Sequence, residues 1–170
     1  MTPAIDLSNR PGARQSGVGL IEILIAVLVV SIGFLGMAAL QSRALSNNNS
    51  AMTRSMATIA SYSILDGMRI DQAGVAAGNY DDTEITVTAI GHDGVVTCSG
   101  VSSGGLAGEN LGNWCDELGQ LVGPGTVGRI THEGGGNYEI EVEFDDSRGT
   151  GGNESIGGTA SQTIVTKAKL

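Results

Sequence analysis

Aromatic residues make up only 4% of the 170-residue chain, so a large aromatic core is excluded. Proline is also scarce: there are three, and none lies between Pro11 and Pro124. A helix can therefore run far through the first half of the chain without meeting a breaker. Basic residues are few, 9 against 18 acidic ones, and the net charge is −9 with no Lys or Arg cluster. Nucleic acid is not an expected partner, because its phosphates need positive charge. The catalytic signatures G-x-S-x-G, H-E-x-x-H, the P-loop and the dinucleotide fingerprint are all missing, so no enzyme and no cofactor is expected. Gly104-Gly105 and Gly134-Gly135-Gly136 lack the strand-to-helix setting of a phosphate loop and read as turns.

Charge is absent in one place above all. Between Arg14 and Arg43 the only ionisable side chain is Glu22. Val18 to Leu40 reads VGLIEILIAVLVVSIGFLGMAAL, 23 residues with one carboxylate and one hydroxyl. About 20 apolar residues suffice to cross the hydrocarbon layer as a helix. An ordinary secretory signal has a shorter apolar core and a small-residue A-x-A site after it, and neither is found here. The segment reads as a retained anchor. Arg10 and Arg14 precede it, which predicts a cytoplasmic N-terminus and a head on the far side of the membrane. Glu22 is the anomaly in the run, since a carboxylate in a membrane helix is costly and marks function unless it reaches the headgroups.

Arg14-Gln15-Ser16-Gly17 followed by Val18-Gly19-Leu20-Ile21-Glu22 resembles the class III signal of the type IV pilin-like family: a basic leader, a glycine, then an apolar helix with glutamate at its fifth position. The resemblance implies cleavage by a prepilin peptidase between Gly17 and Val18, and N-methylation of Val18. It gives Glu22 an assembly role, pairing with the N-terminal amine of a neighbouring subunit so that the two desolvated charges offset each other. Val18 and Gly19 stand where the family commonly has Phe and then Thr or Ser. Gly33 to Leu45, GFLGMAALQSRAL, is similar to the pattern of PilV-type minor pilins, as are Asn48-Asn49-Ser50-Ala51, Trp114 with Leu118, and Gly123-Pro124-Gly125-Thr126-Val127.

The implied organisation is a leader at 1–17, a membrane and filament-core helix at 18–40, a protruding helix at 41–73 and a periplasmic head at 74–170. The expected fold is α+β and type IV pilin-like, a long N-terminal helix packed on a small antiparallel sheet. The implied function is a minor pilin supporting pilus biogenesis, adhesion and twitching motility. Its partners would be other pilins, the prepilin peptidase and the inner membrane, with final residence on the surface pilus. A minor pseudopilin of a type II secretion system shares the same signal. A single-span envelope binding protein that never polymerises predicts instead an uncleaved N-terminus.

The residues of the head carry their own expectations. Leu45, Met52, Met56 and Ile59 fall on one helical face, and the helix should stop near Gly74. The methionines read as packing groups, not metal ligands. Alternation predicts strands at Glu84–Ile90, Thr126–Thr131, Tyr138–Phe144 and Gln162–Lys169, with a turn at Gly91-His92-Asp93-Gly94 and a weak helix over Leu106–Leu121. Cys98 and Cys115 are the only cysteines and, in an oxidising compartment, should form a disulfide. His92 and His132 read as solvated turn residues, with no metal site. Asp81-Asp82 and Asp145-Asp146 read as solvated loop or strand ends rather than calcium ligands. Glu139, Glu141 and Glu143 read as a wet sheet face or, alternatively, a contact for a basic neighbour.

Overall fold

The computed structural model describes residues 19–101, 104–147 and 161–170. Two compact units divide between Gln41 and Ser42. The first unit, as described, is helix from Leu20 onward, with every side chain through Gln41 exposed. This helix, α1, runs Leu20–Ile70 and is long and apolar enough to cross a membrane. Glu22 occupies its first turn, where a carboxylate suits the positive end of the helix dipole. Glu22 N–H donates to Gly19 O at 3.0 Å, opening the hydrogen-bond ladder. Ser31, the hydroxyl of the apolar run, satisfies itself on Val27 O at 2.7 Å.

The second unit is an α+β layer. After α1 come α2 (Gln72–Ala76), β1 (Thr83–Ile90), β2 (Val96–Ser99), α3 (Gly105–Leu121), β3 (Val127–Gly134), β4 (Asn137–Asp145) and β5 (Ser161–Lys169). The strands form one antiparallel sheet in the order β2-β1-β3-β4-β5. Strict alternation on β4 decides which side is inside: Tyr138, Ile140, Val142 and Phe144 are buried, and the glutamates between them are not. The inward residues meet Ala57, Ala60, Ile64, Leu65 and Met68 of α1 and Leu111, Trp114, Cys115 and Leu118 of α3 in one core. Small residues make the close approaches possible. A Cβ on Gly128 would lie 2.6 Å from the Trp114 ring, so only glycine lets α3 lie against β3 there.

Helix α1 ends at Ile70, four residues before Gly74 and close to the expected stop. Asp71 leaves helical geometry (φ −96°, ψ 59°) and caps α2, accepting from Gly74 N–H at 2.9 Å. Gly74 then lies inside α2, where a Cβ would collide with the Asp71 carboxylate. The strands at Glu84–Ile90, Thr126–Thr131, Tyr138–Phe144 and Gln162–Lys169 are present with shifted ends, as is the helix over Leu106–Leu121. Strand β2 carried too short a pattern, four residues, to be read from sequence. The triple glycine forms the β3–β4 turn with positive φ at all three positions.

Candidate functional site

Glu22 is exposed in the first turn of α1 and has no ion-pair partner among the described residues. The expected cleavage and methylation positions, Gly17 and Val18, lie outside the described residues. Around Glu22 the helix surface is apolar on every side, with Leu20, Ile21, Leu24, Ile25 and Leu28 all more than half exposed. A continuous exposed apolar surface of this kind marks a site for contact with a membrane or with another protein.

Beyond Gln41 the exposure of α1 becomes one-sided. Leu45, Met52 and Ile59 are 65%, 59% and 51% exposed. Their seven-residue spacing keeps them in one stripe. The core contacts come from a different face, through Ala57, Ala60, Ser61, Ile64, Leu65 and Met68. Buried Ser61 is satisfied within the helix, donating to Ala57 O at 2.9 Å. The stripe that sequence periodicity picks out is thus not the face α1 uses for its own core. Met56 alone among those four is partly buried. It lines a cleft of about 310 Å³ with Met52, Thr53, Pro124, Phe144 and Asp146.

The head is fixed by polar anchors that sequence reasoning assigned to solvent. Asp146 is only 3% exposed; it accepts from the Ser50 hydroxyl and pairs with Arg54 at 3.5 Å, joining the end of β4 to α1. Asp81 accepts from Tyr138 OH at 2.8 Å and lies 3.0 Å from His132 Nδ1. His132 is therefore a strand residue on β3, stacked on Tyr138 with ring centroids 4.6 Å apart, and not a turn residue. Burial, reinforced by the Asp81 hydrogen bond, pushes the Tyr138 hydroxyl up to about 12. Tyr80 is likewise pushed to about 12, chiefly by burial. Its hydroxyl donates to Asp71 at 2.9 Å and accepts from Asn110 at 2.8 Å, and Asn110 also reaches Gly67 O at 3.3 Å. That network ties α1, α2, the approach to β1 and α3 together. One buried donor, Trp114 Nε1, has no hydrogen-bond partner among the described residues.

The glutamate ladder finds its cations within the chain. Arg129 on β3 reaches Glu84 at 2.7 Å and Glu143 at 2.9 Å, with Glu141 at 4.0 Å. Glu143 is held below the usual carboxylate range by the Arg129 hydrogen bond first and the Ser161 hydroxyl second. Lys167 Nζ sits 2.6 Å from both Glu133 and Glu139, which raise its pKa. Cross-strand register explains the pattern: Arg129 lies between Glu84 and Glu141, and Glu139 is opposite Lys167. These pairs are partly exposed to solvent, which screens them, so each contributes little alone.

Cys98 and Cys115 form a disulfide with Cα atoms 6.3 Å apart, joining edge strand β2 to α3. Cys115 is fully buried in the core and Cys98 packs against it. No group of three or more His, Cys, Asp or Glu suited to a metal ion occurs among the described residues. The fold signals for Asp81, Asp146 and His132 were invisible in sequence because their partners are 51 to 96 residues away. No protein-family model, no curated protein and no solved structure matches the chain.

Proposed function

We propose that this chain is a minor pilin, a subunit that enters a type IV pilus and supports its assembly, and so adhesion and twitching motility. The observation that carries the reading is helix α1: apolar on all sides from Leu20, with a single carboxylate in its first turn, and still presenting Leu45, Met52 and Ile59 outward where it also packs the head core. An anchor serving only the membrane has no use for an apolar stripe beyond it. A filament subunit does, because its helix must pack against other helices outside the bilayer. The resemblance of Gly17 to Glu22 to a prepilin signal supports the same reading, as does an α+β head with a disulfide. The type IV pilin-like fold, the periplasmic head and the surface pilus as final location are parts of this proposal. Other pilins, minor pilins and the prepilin peptidase are the partners.

Mass spectrometry of the N-terminus of membrane-extracted protein, with and without the prepilin peptidase, tests it. A mature chain beginning at N-methylated Val18 is expected; an intact leader in peptidase-positive cells overturns the proposal. Glu22→Ala is expected to leave cleavage intact and to reduce recovery in sheared pili. Unchanged recovery removes the pairing role from Glu22.

A further inference from the structure

The two edges of the sheet are finished differently. Edge strand β2 is four residues long, its pairing with β1 is interrupted by a register shift, and the Cys98–Cys115 disulfide ties it to α3. Edge strand β5 is nine residues long and pairs with β4 in unbroken register from Ser161 to Lys169. Along Thr163–Lys169 no described residue pairs with its other side. There is no proline and no bulge to blunt it. At the C-terminal end of β5, touched by Lys169 and Leu170, lies a groove of about 460 Å³ lined also by Met68, Arg69, Gln72, Val75 and Ala76.

We propose that this edge and groove take up an extended segment of another protein as a sixth strand, one in which apolar residues alternate with carboxylates. Main-chain groups of Thr163–Lys169 supply the pairing, and the groove takes the inward apolar side chain that falls beside the end of β5. The chemistry follows from what β5 already holds on its other side. There β4 presents Tyr138, Ile140, Val142 and Phe144 inward and Glu139, Glu141 and Glu143 outward, with Glu139 opposite Lys167. The cations support the same choice. Arg129 and Lys167 are occupied by glutamates, whereas Lys169 has no ion pair among the described residues and exposed Arg69 has only Asp66 at 3.7 Å. On a head this acidic, these two at the groove are where an incoming carboxylate is attracted rather than repelled. Lysines on an edge also guard against pairing with another lysine-bearing edge, so the same residues favour an acidic strand over a second copy's β5. The proposal stands independently of filament assembly.

The probe is a fluorescein-labelled synthetic peptide with the β4 sequence, Asn-Tyr-Glu-Ile-Glu-Val-Glu-Phe-Asp. It is titrated by anisotropy onto the detergent-solubilised full chain, beside a control with all three Glu replaced by Lys. Saturable binding is expected, with about a tenfold preference for the acidic peptide that shrinks as salt rises. Lys169→Glu is expected to weaken the acidic peptide several-fold and to shift preference toward the lysine peptide; Val75→Asp is expected to weaken both. Hydrogen exchange should show new protection at Thr163–Lys169 with β3 and β4 unchanged. Absence of saturable binding, equal binding of the two peptides, or indifference to Lys169→Glu overturns the proposal. So does faster exchange on β4, which means the peptide has displaced that strand.

Discussion

From Leu20 to Gln41 the residues of α1 are exposed on every side, and apolar character has no preferred direction. From Ser42 to Ile70 the same helix has two faces: Ala57, Ala60, Ile64, Leu65 and Met68 bury themselves under the sheet, while Leu45, Met52 and Ile59 stay outside. The difference lies in size as well as place. The inner face begins with alanines, which let the helix come close, and ends with larger residues that fill the core. The outer face keeps large side chains that are more than half exposed. A helix that served its own head alone would have the reverse economy on its outer side, with polar residues. The comparison therefore separates residues that make the fold from residues available to another molecule.

Leu65→Ala should test the inner face most severely, costing about 2–5 kcal/mol because the fully buried side chain leaves a cavity. Urea unfolding of the detergent-solubilised chain, followed by fluorescence of its single tryptophan, reads it. A cost below about 1 kcal/mol would mean that the inner face is not core. Cys98→Ser with Cys115→Ser should cost about 3 kcal/mol in the same assay, through the looser unfolded chain and the freed β2 edge. Tyr80→Phe removes the hydroxyl between Asp71 and Asn110 and should cost about 1–2 kcal/mol. On the outer face, Ile59→Ser should change stability by less than about 0.5 kcal/mol, yet lower recovery in sheared pili. A large loss of stability there would erase the distinction between the faces.

The smallest effect concerns pH. Glu143 is held below its ordinary value of 4.5, so its contribution is present above that value and is lost as pH falls through the lowered one. Arg129→Met should flatten the acid limb of the stability curve below about pH 4.5 and leave neutral stability within about 1 kcal/mol. An unchanged acid limb would show that the ladder does not couple to folding.

Local pattern made much of this legible. The alternation of Tyr138 to Phe144 needed no tertiary knowledge, because a strand with one buried face must show period two. The apolar run and its carboxylate are likewise complete within a few residues of sequence. What was not legible depended on distant partners. Asp146 looked like a solvated strand end and is buried against Ser50 and Arg54. His132 looked like a turn residue and is a β3 residue held 3.0 Å from Asp81, 51 residues away in the chain. The glutamates looked wet, and their cations come from neighbouring strands.

The sequence by itself determined the long apolar helix with Glu22 near its start, the absence of the catalytic signatures sought, and the order of a helix followed by mainly antiparallel strands, since each rests on local composition or periodicity. Only the tertiary structure decided which face of α1 belongs to the core and which carboxylates are buried or paired. It also decided that edge strand β2 is tied to α3 by the disulfide, while along Thr163–Lys169 no described residue but those of β4 pairs with β5. Those outcomes depend on which residues far apart in the chain meet, and burial and pairing are properties of that meeting rather than of any residue alone.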